Sequence, residues 1–122
     1  MVEVRTLLTS LGFDTDGALL NLEGVFSRLD ALPTNFSVYC EIVKPPYMTG
    51  LGVDLRIMRA GQEVWRWGEE LIELVPGDAL VTLAVDVEGC QTAPGAYSVE
   101  VMIDGTTSAV RVIYLGSRRK SR

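Results

Sequence analysis

Turn-forming residues interrupt this chain about every ten residues, and the stretches between them alternate apolar and polar side chains. The interruptions are Asp14-Thr15-Asp16-Gly17, Pro45-Pro46, Ala60-Gly61-Gln62, Pro76-Gly77-Asp78, the loop from Gly89 to Gly95, and Asp104-Gly105-Thr106. Intervals that short leave room for strands but not for strand-helix-strand crossovers, which selects a sandwich or barrel over a parallel sheet. At 122 residues, 48% of them hydrophobic, the chain can bury a core without a disulfide or a metal.

Alternation identifies most of the strands. Val2 to Leu8 leads into the Asp14–Gly17 turn, and Ala18 to Glu23 returns from it. Phe36, Val38, Cys40 and Ile42 share one face of a strand ended by Pro45-Pro46, and Leu51, Val53, Leu55 and Ile57 share one face of the next. Glu63 to Trp67, Leu80 to Val87, Tyr97 to Ile103 and Ser108 to Leu115 complete the set. Gly24 to Leu29 suits either a strand continued beyond a bulge or one helical turn stopped by Pro33, and Glu69 to Val75 mixes both propensities. The expectation is all-β: a single antiparallel sandwich of about eight short strands over residues 1–115, with at most one helical turn and a basic tail at 116–122. The first strand, or the strand after the tryptophan pair, is the expected sheet edge.

Two segments carry a resemblance. Asp16-Gly17-Ala18-Leu19-Leu20-Asn21-Leu22-Glu23-Gly24-Val25-Phe26-Ser27-Arg28-Leu29 and the closing Ala93-Pro94-Gly95-Ala96-Tyr97-Ser98-Val99-Glu100-Val101-Met102-Ile103-Asp104-Gly105 together resemble an uncharacterised family of small prokaryotic and phage sandwich domains. Its pattern is a turn and strand, a Gly before a hydrophobic pair and a basic residue, and a terminal Pro-Gly-x-Tyr hairpin. The resemblance implies an immunoglobulin-like fold and no function.

Three features invite a functional reading. Asp14, Asp16 and Glu23, with Gly17, stand at calcium-loop spacing, but Gly12 occupies the first ligand position and a strand precedes the loop, so a plain hairpin is expected. Trp65 and Trp67 project to one face of a strand, where they either fill the core or anchor a partner. Arg118, Arg119, Lys120 and Arg122 gather four of the eleven basic residues at the end of a chain with net charge −5. That acidic body argues against duplex binding, and the tail alone suggests attachment to something anionic.

For catalysis, the telling feature is an absence. The chain has no histidine, which removes the usual general base near neutral pH, any His-containing triad and most zinc sites. Its two cysteines, Cys40 and Cys90, cannot build a thiolate metal site, and they fit a reduced compartment better than a disulfide framework. Glu69, Glu70 and Glu73 read as a wet charged face, and Gly50-Leu51-Gly52 precedes a strand rather than the helix a phosphate loop needs. No enzyme and no cofactor are expected. The N-terminus, Met1-Val2-Glu3-Val4-Arg5, has an early acid and no long apolar stretch, which points to cytoplasmic synthesis without a signal peptide. The expected role is a structural or assembly protein, such as a phage capsid, tail or decoration subunit, with protein partners or copies of itself around it. The other reading is a free binding module that uses its loops.

Overall fold

The computed structural model describes residues 2–16, 19–30, 32–33, 35–73, 75, 77–89 and 93–116, the side chains of 19 and 69–71 apart. Nine strands are formed among them: β1 Glu3–Asp16, β2 Leu19–Phe26, β3 Arg28–Leu29, β4 Asn35–Val43, β5 Gly50–Arg59, β6 Gln62–Glu73, β7 Leu80–Glu88, β8 Gly95–Ile103 and β9 Thr106–Leu115. They make two sheets, a four-stranded one ordered β2-β1-β4-β7 and a five-stranded one ordered β3-β9-β8-β5-β6. Every pairing is antiparallel except β3 with β9, which is parallel through Arg28 with Tyr114 and Leu29 with Leu115.

The period-2 pattern becomes burial directly. Leu51, Val53, Leu55 and Ile57 on β5 and Tyr97, Val99, Val101 and Ile103 on β8 are buried, and the residue between each pair is half-exposed. They meet Phe36, Val38, Cys40 and Ile42 from β4 in one core between the sheets. Phe26 closes against Phe36 edge-to-face, with ring centroids 5.8 Å apart and planes at 77°. Tyr97 is buried, and its hydroxyl donates back to the carbonyl of Ala93, tethering the approach to β8.

One flank of the sandwich is sealed by Arg111. Its guanidinium donates to Thr9 Oγ1 at 3.1 Å and to the Phe26 carbonyl at 2.7 Å, and the Thr9 hydroxyl donates to that same carbonyl at 2.6 Å. The chain crosses between sheets on this flank: β2 ends at Phe26 in one sheet, and β3 begins at Arg28 in the other. The Tyr114 N–H donates to the Ser27 carbonyl at 2.9 Å across the change. With β2 and β3 together on this side, the strand orders place β7 and β6 together on the opposite one.

The sandwich expected from the sequence is present; the edge expected at the first strand is corrected in part, and the two open assignments resolve to strand. The first strand is an edge only in part: Glu3–Leu8 pairs with β4 alone, whereas from Thr9 onward β1 pairs with β2, which places it inside the sheet order. Gly24 to Leu29 forms no helical turn. Gly24 takes φ +64°, and the chain goes on as a strand into the second sheet. Glu69 to Glu73 is the continuation of β6, a 12-residue strand. The strand after the tryptophan pair, β7, is an edge as expected. No helix among the described residues is long and apolar enough to cross a membrane.

Candidate interaction surface

Trp65 and Trp67 sit on β6 opposite Ile57 and Leu55 of β5, so both rings turn toward the core. They are only half-buried, because β6 ends its sheet and no further strand covers that side. Across the gap, β7 is likewise the last strand of its sheet, and its inward side chains Val81, Leu83 and Val85 are half-buried against the same core. The result is a lateral opening with tryptophan on one lip and aliphatic side chains on the other. The rings thus pack on the core and leave part of their surface uncovered.

The outer face of the five-stranded sheet carries a charged patch on β5, β6 and β8, beside the exposed Val110, Val112 and Tyr114 of β9. Arg66 contacts Asp54 at 3.1 Å and Glu63 at 2.7 Å, and Arg56 contacts Glu100 at 2.7 Å. The hydrogen bond from Arg66 holds the Glu63 carboxyl below its usual range, and Glu63 in turn raises the Arg66 guanidinium above its own. Exposed pairs of this kind contribute little to stability, and with three carboxylates to two guanidiniums the patch keeps a net negative charge.

A second cluster lies on the outer face of the four-stranded sheet, one strand in from β7. Glu41 accepts from the Tyr39 hydroxyl, from Arg5 at 2.8 and 3.1 Å and from Thr6 at 2.8 Å. Those bonds lower its carboxyl to about 2, the Tyr39 bond contributing most. Tyr39 rises to about 12, chiefly through burial and then through its bond to Glu41. Neither group changes protonation near neutral pH, so the pair cannot work as a general acid and base there. Cys40 beside them is a free, buried thiol whose burial pushes it up to about 12, far from the thiolate that reactivity needs.

This cluster sets a pH dependence. A carboxyl lowered on folding stabilises the protein above its unfolded value of 4.5, and that contribution fades as pH falls toward about 2. A phenol raised on folding stabilises below 10, with loss as pH climbs toward about 12. Denaturant midpoints of the wild type should therefore fall between pH 4.5 and 2, and Glu41→Gln should flatten that limb. A Glu41 carboxyl titrating by NMR near its unfolded value would refute the assignment.

At one end of the sandwich, the β4–β5 and β6–β7 loops are tied by Gly77 N–H to the Pro46 carbonyl at 2.9 Å and by Lys44 N–H to the Ala79 carbonyl at 2.9 Å. The Lys44 ammonium is buried beneath them and donates to the Asp78 carbonyl. Tyr47, 81% exposed, and Val75, 65% exposed, project from these two loops. The sequence reading passed over both, since a lone aromatic beside Pro-Pro carries no periodic signal.

The remaining sequence candidates separate. Asp14, Asp16 and Glu23 lie on the β1–β2 ribbon, exposed, and among the described residues no group of acids, cysteines or histidines is arranged to hold a metal ion. Gly17 of that turn, Cys90, and Arg118, Arg119, Lys120 and Arg122 of the tail lie outside the described residues.

No protein-family model matches the chain, and no curated protein is similar to it in sequence. Similarity appears in structure. The Pseudomonas fluorescens alkylpurine DNA glycosylase AlkC, bound to DNA containing an abasic site analogue, matches with a TM-score of 0.63 at 15% identity over 93% of this chain. This chain spans only 30% of the glycosylase. An immunoglobulin-like protein, PA1606 of Pseudomonas aeruginosa, matches with a TM-score of 0.53 at 15% identity, over 94% of this chain and 96% of its own length. The fold is thus an immunoglobulin-like β-sandwich, an architecture found both as a whole chain and as a fraction of a longer one.

Proposed function

We propose that the chain is a non-catalytic assembly subunit, a sandwich that docks on neighbouring protein through its flank and ends, as the subunits of a virion capsid, tail or decoration layer do. The observation that supports this is the lateral opening between β6 and β7, where Trp65, Trp67, Val81, Leu83 and Val85 are left half-covered. Aromatic and aliphatic side chains at an uncovered sheet edge suit docking of a protein strand, and they bring no reactive group with them. The basic tail adds a second attachment point for an anionic neighbour. The likeness to a DNA glycosylase does not argue for base excision, since it covers under a third of that protein.

Light scattering and electron microscopy on the purified protein, repeated after removal of residues 117–122, test this reading. Expected are species larger than one chain, diminished by the deletion. A monodisperse monomer that is indifferent to the deletion would overturn it.

A second reading has its own support. Tyr47 and Val75, exposed on two loops tied together, suit a free cytoplasmic module that recognises a protein or small ligand at the loop end. On that reading Tyr47→Ser with Val75→Ser abolishes partner capture, whereas on the first it leaves the assembled species unchanged.

A further inference from the structure

Besides the half of β1 from Glu3 to Leu8, which pairs with β4 alone and carries a register shift between Val4 and Thr6, the two sheets end in four edges among the described residues, and three of these are obstructed. The β2 edge is distorted at Gly24, which takes φ +64°. The β9 edge is capped at its C-terminal end by β3 and carries a register shift between Val101 and Met102 of its pairing with β8. The β6 edge is shifted twice, between Leu51 and Val53 and between Ile57 and Met58. Bulges, caps and irregularities of this kind are how sheet edges avoid pairing with other chains. Of these four, β7 alone lacks them: its nine residues pair with β4 in unbroken register from Asn35–Glu88 to Val43–Leu80, with no proline in the strand.

The direction of its backbone groups follows from one bond. Lys44 N–H donates to the Ala79 carbonyl, the pair that follows Val43–Leu80 in the same register. Hydrogen-bonded pairs alternate along an antiparallel ladder, so Val81, Leu83, Val85 and Val87 turn their N–H and C=O groups to β4. Leu80, Thr82, Ala84, Asp86 and Glu88 turn theirs outward, where no strand takes them up.

We propose that β7 pairs antiparallel with β7 of a second copy about a two-fold axis at Ala84, joining the two four-stranded sheets into one. This rests on the assembly reading above and names the partner and the edge. Self-complementarity argues for a second copy as the occupant. With the axis at Ala84, the smallest side chain of the strand meets itself, and Thr82 faces the partner's Asp86. Asp86 Oδ1 already accepts from Ser37 at 2.9 Å, which leaves its other oxygen for the threonine hydroxyl. Leu80 faces the partner's Glu88, Leu83 the partner's Val85, and Val81 the partner's Val87. No acid faces an acid. The two Asp86 carboxylates stand four strand residues apart, roughly 13 Å, which is beyond the screening length of physiological salt. An axis at Asp86 would instead set them face to face. The half-covered Val81, Leu83 and Val85 then gain apolar neighbours from the partner strand.

Sedimentation velocity on the full chain, with Ala84→Pro and Ala84→Glu, tests this. The Ala84 N–H faces outward, so proline removes a bond to the partner and none to β4. Glutamate places like charges across the axis, on the outer face beside Tyr39. Expected is a concentration-dependent dimer with Kd of about 1–100 µM, as suits a small edge interface, and at least about tenfold weaker association in both variants, with unchanged circular dichroism. Self-association that both folded variants retain would overturn the β7 dimer while leaving the assembly reading intact. A wild type that stays monomeric throughout would overturn the dimer, and if removal of residues 117–122 also changes nothing, the assembly reading falls with it. Should Ala84→Pro unfold, Ala84→Glu alone carries the test.

Discussion

Replacing Phe36 with alanine is expected to destabilise the protein by about 3–5 kcal/mol, a large part of the roughly 5–15 kcal/mol that holds a domain of this kind together. Phe36 is 1% exposed and sits where β4 faces the flank closed by Phe26. Removing the ring loses its transfer free energy and leaves a cavity among side chains fixed by two sheets, which cannot collapse to fill it. Part of the loss belongs to the edge-to-face contact, about 0.5–1.5 kcal/mol beyond burial. A double-mutant cycle with Phe26→Leu isolates that part. Urea denaturation monitored by tryptophan fluorescence measures the total, and a loss under about 1.5 kcal/mol would show that the core repacks around the hole.

Gly24→Val should cost about 2–4 kcal/mol, for two separable reasons. The backbone there has φ +64°, which is open to glycine and strained for a β-branched residue. A Cβ at this position would also lie 2.7 Å from Leu11 Cδ1 and 3.3 Å from Leu11 Cβ. The first of these contacts relaxes if Leu11, itself 51% exposed, swings away, but the backbone strain does not. Leu11→Ala should therefore rescue only a fraction of the loss. Full rescue, measured by thermal unfolding, would show that the contact alone mattered and that the φ angle was harmless.

The faces of β4, β5 and β8 could be read from the amino-acid order because alternation alone decides which side chain points inward. Neighbours could not. That β1 sits inside its sheet depends on pairing with β4, where Thr9 meets Val38 and Leu7 meets Cys40, and a period of two carries no information about a strand so far along the chain. The length of β1 was hidden for a related reason. Gly12, Asp14 and Asp16 have the composition of a turn, yet they pair with Glu23, Asn21 and Leu19 in a two-stranded ribbon that runs beyond β4. The shared face of Trp65 and Trp67 was legible, while their half-burial was not, since it follows from β6 being last in its sheet. The β7 edge did leave a trace: Leu80 to Glu88 contains no lysine, arginine or proline, the residues that commonly protect an edge.

The Arg111 clasp on Thr9 and the Phe26 carbonyl also governs the order in which the molecule can be completed. Its partners are made early in synthesis and Arg111 near the end, so a growing chain holds eight of the nine strands, with this flank open and β3 without its partner, until β9 emerges. Closing contacts separated by 102 residues costs chain entropy before it returns stability, and all-β sandwiches built on such contacts fold in roughly milliseconds to seconds. During that interval the unsealed flank of the core and the β7 edge are exposed together, the kind of surface that makes incomplete chains prone to associate.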